Sequence, residues 1–175
     1  MPGGCGRSVA EAGHFDAAGR ARMVDVGQKP VTERVAVARG RIALGGEAYS
    51  RVAAGTAAKG DVLGVARLAG IMAAKRTSET IPLCHPVPLA AVEVRFRLQQ
   101  PDVWAEAEVR CADRTGVEME ALCAVSAALL TVYDMVKAYG RGHTVGDIRL
   151  LSKSGGRSGE YRGEGADTWP QAEIR

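Results

Sequence analysis

Two consecutive stretches of alternating residues limit what this chain can become. Val92, Val94, Phe96 and Leu98 alternate with Glu93, Arg95, Arg97 and Gln99. After Gln99-Gln100-Pro101-Asp102 the pattern resumes as Val103, Ala105, Ala107, Val109 and Cys111. A period of two puts successive side chains on opposite faces, so both stretches are half-buried strands and the short polar link joins them as an antiparallel hairpin. A hairpin with one apolar face needs cover.

Two segments of helical period can supply it. Asp61 can cap a helix whose apolar positions Val62, Val65, Ala69 and Met72 carry it to about Arg76. A longer helix, from about Val117 to Tyr139, is marked by Leu122, Val125, Leu129, Val132, Tyr133 and Val136 among many alanines, and Gly140 and Gly142 end it. Val35 and Val37 favour a strand over Thr32–Ile42, Glu47–Ala54 suits a short helix ended by Gly55, and Val145–Ser152 suits a last strand. Pro82, Pro86 and Pro88 exclude regular structure between Ile81 and Leu89. The main order is strand, helix, strand, strand, helix, strand, which predicts an α+β, ferredoxin-like split βαβ fold, an antiparallel sheet with both helices packed on one face. The other face would be bare, so subunits are expected to pack there.

At 175 residues one domain is the default. Residues 1–13, rich in Gly and Ala without periodicity, are predicted to be a disordered tail, 14–162 a single domain, and 163–175 a polar tail. A net charge of +3 from 23 basic against 20 acidic residues is too balanced for a generic nucleic-acid binder, and 5% aromatics offer no base-stacking platform. No nucleic-acid partner is expected. Cys5, Cys84, Cys111 and Cys123 show neither a Cys-x-x-Cys pair nor zinc spacing, and read as reduced thiols. The N-terminus lacks a signal-peptide run, and no stretch is read as reaching the ~18 apolar residues of a membrane span. The expectation is a soluble cytoplasmic protein with no membrane partner.

Among the 23 basic residues only positions 29, 59, 75, 137 and 153 are lysine. Where charge alone suffices this chain uses arginine, so a lysine marks a place for a compact, tunable amine, the plain alternative being that an Arg-heavy composition leaves a few lysines by chance. Four of the five fall in segments that can carry chemistry. Lys75 opens a dozen residues ending in Leu83-Cys84-His85-Pro86, where cations, hydroxyls, a carboxylate, a thiol and an imidazole are held by prolines. Adjacent Cys84 and His85 without a second ligand pair make a poor metal site, and a proline-stiffened turn is the plain alternative. Glu118 and Glu120 would diverge by roughly 200° on a regular helix, so they share a site only in an extended segment or a distorted first turn. Their alternative is favourable placement at a helix N-terminus. Asp134 and Lys137, three apart, suit a surface ion pair or an acid/base couple. Lys153-Ser154-Gly155-Gly156-Arg157-Ser158-Gly159 suits phosphate oxygens without the spacing of a P-loop, with a flexible tail as the plain alternative. Together these describe a site for a polyphosphorylated small molecule undergoing acid/base chemistry.

As whole strings, Ala21–Val26, Lys59-Gly60-Asp61-Val62, Ala69–Thr77, Ile81–Pro86, Thr115–Leu122, Tyr133-Asp134-Met135 and Lys153–Gly156 closely resemble the MoaC family, the cyclic pyranopterin monophosphate synthases of molybdenum cofactor biosynthesis. The resemblance runs from about residue 14 to 162. It implies a lyase that converts 3′,8-cyclo-7,8-dihydroguanosine 5′-triphosphate to cyclic pyranopterin monophosphate with release of pyrophosphate. No cofactor is expected and no residue is nominated as a metal ligand; the resemblance further implies a homohexamer, a trimer of dimers, with active sites across a dimer interface. Position by position, it implies Asp134, Lys137 and Lys59 as catalytic groups. Leu83, Cys84, His85, Met119 and Glu120 would hold the substrate, with Glu118, Lys75, Lys153 and Arg34 also in the site. Glu118 and Glu120 would hydrogen-bond the guanine-derived amide and amine. Arg157 stands where lysine is usual and Thr80 where an apolar residue is typical. The alternatives are a non-catalytic nucleotide-binding or regulatory module, and a metal hydrolase using His85, Cys84 and the Glu118/Glu120 pair.

Overall fold

The computed structural model describes residues 18–166 and Thr168; the expected N-terminal tail and most of the C-terminal tail lie outside them. Strand β1 (Thr32–Ala43) is followed by helices α1 (Gly46–Ala54), α2 (Val62–Lys75) and the single turn α3 (Thr77–Thr80). Then come β2 (Leu89–Gln99), β3 (Asp102–Asp113), α4 (Glu118–Val136) with a 3₁₀ turn Lys137–Tyr139, β4 (Thr144–Ser154) and β5 (Tyr161–Arg162). The antiparallel sheet runs β2-β3-β1-β4-β5. Its first four strands have the order of the expected split βαβ fold.

The alternation read from the sequence sets the register. Val92, Val94, Phe96 and Leu98 stand opposite Val109, Ala107, Ala105 and Val103, which in turn face Ala36, Ala38, Gly40 and Ile42 of β1. The middle of this face is built of small residues, which lets α4 lie close to the strands. A Cβ on Gly40 would meet Leu129 and Val125 of α4 at 3.0 Å. Helix α4 turns Ala121, Ala124, Val125, Ala128, Leu129, Val132 and Val136 inward. Its crossing with α2 is closest at Gly70, where a Cβ would lie 2.9 Å from the Ala124 carbonyl and 3.1 Å from Val94. Asp61 caps α2, accepting from the Gly64 N–H at 2.9 Å. Among the described residues the span Glu118–Tyr139 is, contrary to the sequence reading, long and apolar enough to cross a membrane by length and composition, and half of its most apolar window is buried inside the fold. It is the core helix, packed on β1, β3, β4 and α2.

Three features differ from expectation. The Gly-rich loop begins later, because β4 continues through Lys153 and Ser154, paired with Ala36 and Val35. Tyr161 and Arg162 return to pair with Lys153 and Ser152, an extra edge strand too short to show periodicity. The second sheet face is not simply bare. Buried Arg39 holds Glu106 through Nη2 at 2.7 Å and Nε at 3.0 Å, and its Nη1 reaches the Gly165 and Thr168 carbonyls.

Candidate active site

The sequence-nominated residues gather at the two ends of α4. At its N-terminus, Leu83, Cys84 and His85 from the proline-rich loop and Glu118, Met119 and Glu120 from the first helical turn line one cavity of about 260 Å³. Both carboxylates reach it because the cavity sits against the end of the helix; the divergence of i and i+2 side chains matters only along its flank. Glu120 is 4% exposed, and burial, aided by the nearby Glu118 carboxylate, pushes its pKa above the ordinary range. Burial likewise raises the Cys84 and Cys123 thiols, with Glu120 adding to both. Cys111, beneath them, is pushed up to about 11, chiefly by burial. Such shifts disfavour the thiolate, the nucleophilic form.

A second cavity, of about 690 Å³, adjoins the first and shares Lys29, Thr115, Gly116 and Glu118 with it. Its further lining includes Arg34, Arg114, Gly156, Arg157 and Ser158. Arg34 is 9% exposed and is tied by Nε to the Asp113 carbonyl at 3.3 Å and by Nη2 to the Arg114 carbonyl at 3.2 Å. Gly156, at φ +72°, leaves the space its guanidinium occupies, since a Cβ there would overlap Nη1. Lys153 donates to Glu118 Oε1 at 2.8 Å and to Ser158 Oγ at 3.0 Å, joining the Gly-rich loop to α4. Lys75 stands apart, in a shallow groove with Ile71 and Leu89 that meets the first cavity at Val87.

The other end of α4 carries a separate cluster. Lys137 donates to Asp134 Oδ1 at 2.6 Å, and Lys59 donates to Asp134 Oδ2 at 3.1 Å and to the Asp134 carbonyl at 2.8 Å. Two ammonium groups thus flank one carboxylate at a helix C-terminus, where carbonyls lack helical partners and the dipole favours cations. The Lys137 hydrogen bond first, then that of Lys59, holds Asp134 below the usual carboxylate range. All three side chains are about half exposed. Asp134 and Glu118 are sixteen residues apart on α4, or about 24 Å at 1.5 Å per residue. Within one chain the lysine–aspartate cluster and the cavities do not meet.

Lys29, Arg114, Val24 and Val26 also line the cavities and were not nominated. The rarity of lysine was a usable signal for Lys29. Arg114, one of eighteen arginines, carried none. Among the described residues no three His, Cys, Asp or Glu side chains are placed to hold a metal ion.

A cyclic pyranopterin monophosphate synthase of Thermomicrobium roseum is 60% identical over 158 residues, covering 89% of this chain and 95% of that protein. Proteins of the same name from Cereibacter sphaeroides and Heliobacterium modesticaldum are each 57% identical over 150 residues, covering 85% of this chain and 94% of their own. Residues 23–156 match the sequence model of the MoaC family, and the chain belongs to that family.

Proposed function

We propose that this chain is the lyase that converts 3′,8-cyclo-7,8-dihydroguanosine 5′-triphosphate to cyclic pyranopterin monophosphate, releasing pyrophosphate, in molybdenum cofactor biosynthesis. The observation that carries the reading is the pair of joined cavities at the start of α4, one holding a buried carboxylate and the other ringed by cations. A guanine-derived ring offers N–H donors to carboxylates, and a triphosphate needs several cations. Glu118 and Glu120 accept from the amide and amine of the ring. Arg34, Lys153, Lys29, Arg114 and Arg157 face the phosphates.

Ring opening and reclosure need a group that takes a proton and one that returns it. Lys59, Asp134 and Lys137 fill those roles. In the last stage a sugar-derived hydroxyl oxygen bonds to the α-phosphorus, its proton passes to a base, and the bond from that phosphorus to pyrophosphate breaks. Cations beside the leaving group stabilise the charge it gains. Lys75 lies at the margin of this site.

An acid/base group must come within hydrogen-bond reach of the atom it serves, and ~24 Å of α4 separates the two clusters. The reading is therefore a composite site, with the cavities of one subunit facing the Lys59–Asp134–Lys137 cluster of another, in a homohexamer built as a trimer of dimers. Residues 14–162 form the catalytic domain of a cytoplasmic enzyme that uses no cofactor. Incubating the assembled protein with the cyclised substrate tests the reading, with pyrophosphate and the fluorescent oxidised pterin as readouts and Asp134→Asn as control. Turnover abolished in the variant supports the lyase. Binding without turnover by the wild-type oligomer favours a nucleotide-binding module.

A further inference from the structure

The Lys59 ammonium is carried by a long flexible stem, so its place beside Asp134 depends on where the backbone starts. That backbone is the connection between α1 and α2, left by Gly55 at φ +68° and re-entered at the Asp61 cap. Ala58 and Lys59 are both exposed. Between those ends Ala57 is buried in the core and accepts from the Gly60 N–H at 2.9 Å, and the next residue is tied across to the terminal 3₁₀ turn, where the Ala58 N–H donates to the Tyr139 hydroxyl at 2.7 Å. The Tyr139 ring is partly buried against the core, and the Arg51 guanidinium of α1 sits 5.7 Å from its centroid. Arg51 is itself paired with Glu47. Tyr139 is thus packed on two sides, by the core and by Arg51.

The turn bearing Tyr139 also bears Lys137, two residues earlier, whose ammonium meets the other carboxylate oxygen of Asp134. One short turn therefore places one lysine directly and the second through its loop. We propose that Tyr139 is a positioning residue for the reaction, its hydroxyl clamping the backbone at Ala58 and thereby fixing the Lys59 ammonium against Asp134. This rests on the reading of Lys59, Asp134 and Lys137 as the acid/base groups.

Tyr139→Phe removes the acceptor and keeps the ring that packs against Arg51. Small misplacement of a reacting group costs rate far more than binding, so kcat falls about tenfold to a hundredfold, with KM nearly unchanged. Two readouts need no turnover. The Ala58 amide exchanges about tenfold faster, as expected for loss of one hydrogen bond. The Asp134 carboxylate, followed by carbon NMR, titrates at higher pH as Lys59 loosens while Lys137 stays. Lys59 and Lys137 are the charged groups that face it. A variant with wild-type kcat, Ala58 exchange and Asp134 titration overturns the proposal, and so does a variant that only melts earlier. If the wild-type protein itself does not turn over the substrate, the functional reading fails, and exchange and titration still decide whether Tyr139 places Lys59.

Discussion

A composite site makes a quantitative prediction that a single-chain site does not. Take two inactive variants, Asp134→Asn, which breaks the cluster at the C-terminal end of α4, and Glu120→Gln, which breaks the cavity at its N-terminal end. Both are near-isosteric and about 20 Å apart along the helix axis, so neither disturbs the other's half. In a two-fold symmetric dimer each site takes its cavity from one chain and its lysine–aspartate cluster from the other. After random reassociation of equal amounts, a given site has an intact cavity in half the cases and, independently, an intact cluster in half. About one quarter of the sites are whole. The number does not depend on how many dimers join, because each site involves two chains only. The assay is pyrophosphate release from the cyclised GTP derivative, before and after exchange of subunits under mild dissociating conditions. The wild type carried through the same treatment sets the full scale. Recovery near a quarter is expected; with two affinity tags, purified mixed dimers have one whole site in two. Activity no higher than the mean of the two parents would refute the composite site, since every chain would then carry one broken half of its own site.

Three further outcomes follow from particular contacts. Because burial raises the Glu120 pKa in the folded chain, its contribution to stability is present below its ordinary pKa and lost as pH rises through the raised value. Glu120→Gln should therefore raise the melting temperature at pH 8 relative to wild type, leave it nearly unchanged at pH 4, and lose turnover, as read by paired thermal scans and assays. Gly156→Ala pushes a methyl group into the space of the Arg34 guanidinium at a backbone φ of +72°, and should raise KM through weaker triphosphate binding, checked by titration with pyrophosphate. Gly70→Ala drives a Cβ against the Ala124 carbonyl. It should cost about 1–3 kcal/mol from overpacking, less about 1 kcal/mol gained in helix propensity, measured by urea unfolding.

Much of the fold was legible because the signals were local and repeated. The alternation through Val92–Leu98 and Val103–Cys111 is the observed register of β2 and β3, and Asp61 caps the helix it was read to cap. Strand β5 was not legible, since two residues show no period and their pairing with Ser152 and Lys153 is a long-range event. The extension of β4 through Lys153 was missed for the same reason. The Cys84–His85 segment and the Glu118–Glu120 segment drew attention by composition, and they do share a cavity. Lys29 escaped because its place depends on Arg114, whose Nε donates to the Lys29 carbonyl at 3.1 Å across 85 residues of sequence. The separation of the two clusters was latent in the sequence. One helix from about 117 to 139 already puts Glu118 and Asp134 at opposite ends.

That separation bears on the chemistry as well as the assembly. In a single chain Lys59, Asp134 and Lys137 are half exposed, and solvated ion pairs of this kind contribute little to stability. Water around them also weakens every charge–charge contact they could make with a reacting ring. The cavity end is the reverse. Glu120 and Arg34 are buried, and Arg34 is held by the Asp113 and Arg114 carbonyls before any ligand arrives. A second subunit seated over the exposed cluster would exclude that water and strengthen the charge–charge contacts the cluster makes with a reacting ring. On the composite-site proposal the pre-built half would bind and orient, while the half proposed to move protons would gain its working environment only when two chains meet. Dissociated subunits should then retain triphosphate affinity and lack turnover, a split that dilution below the assembly concentration would expose without any mutation.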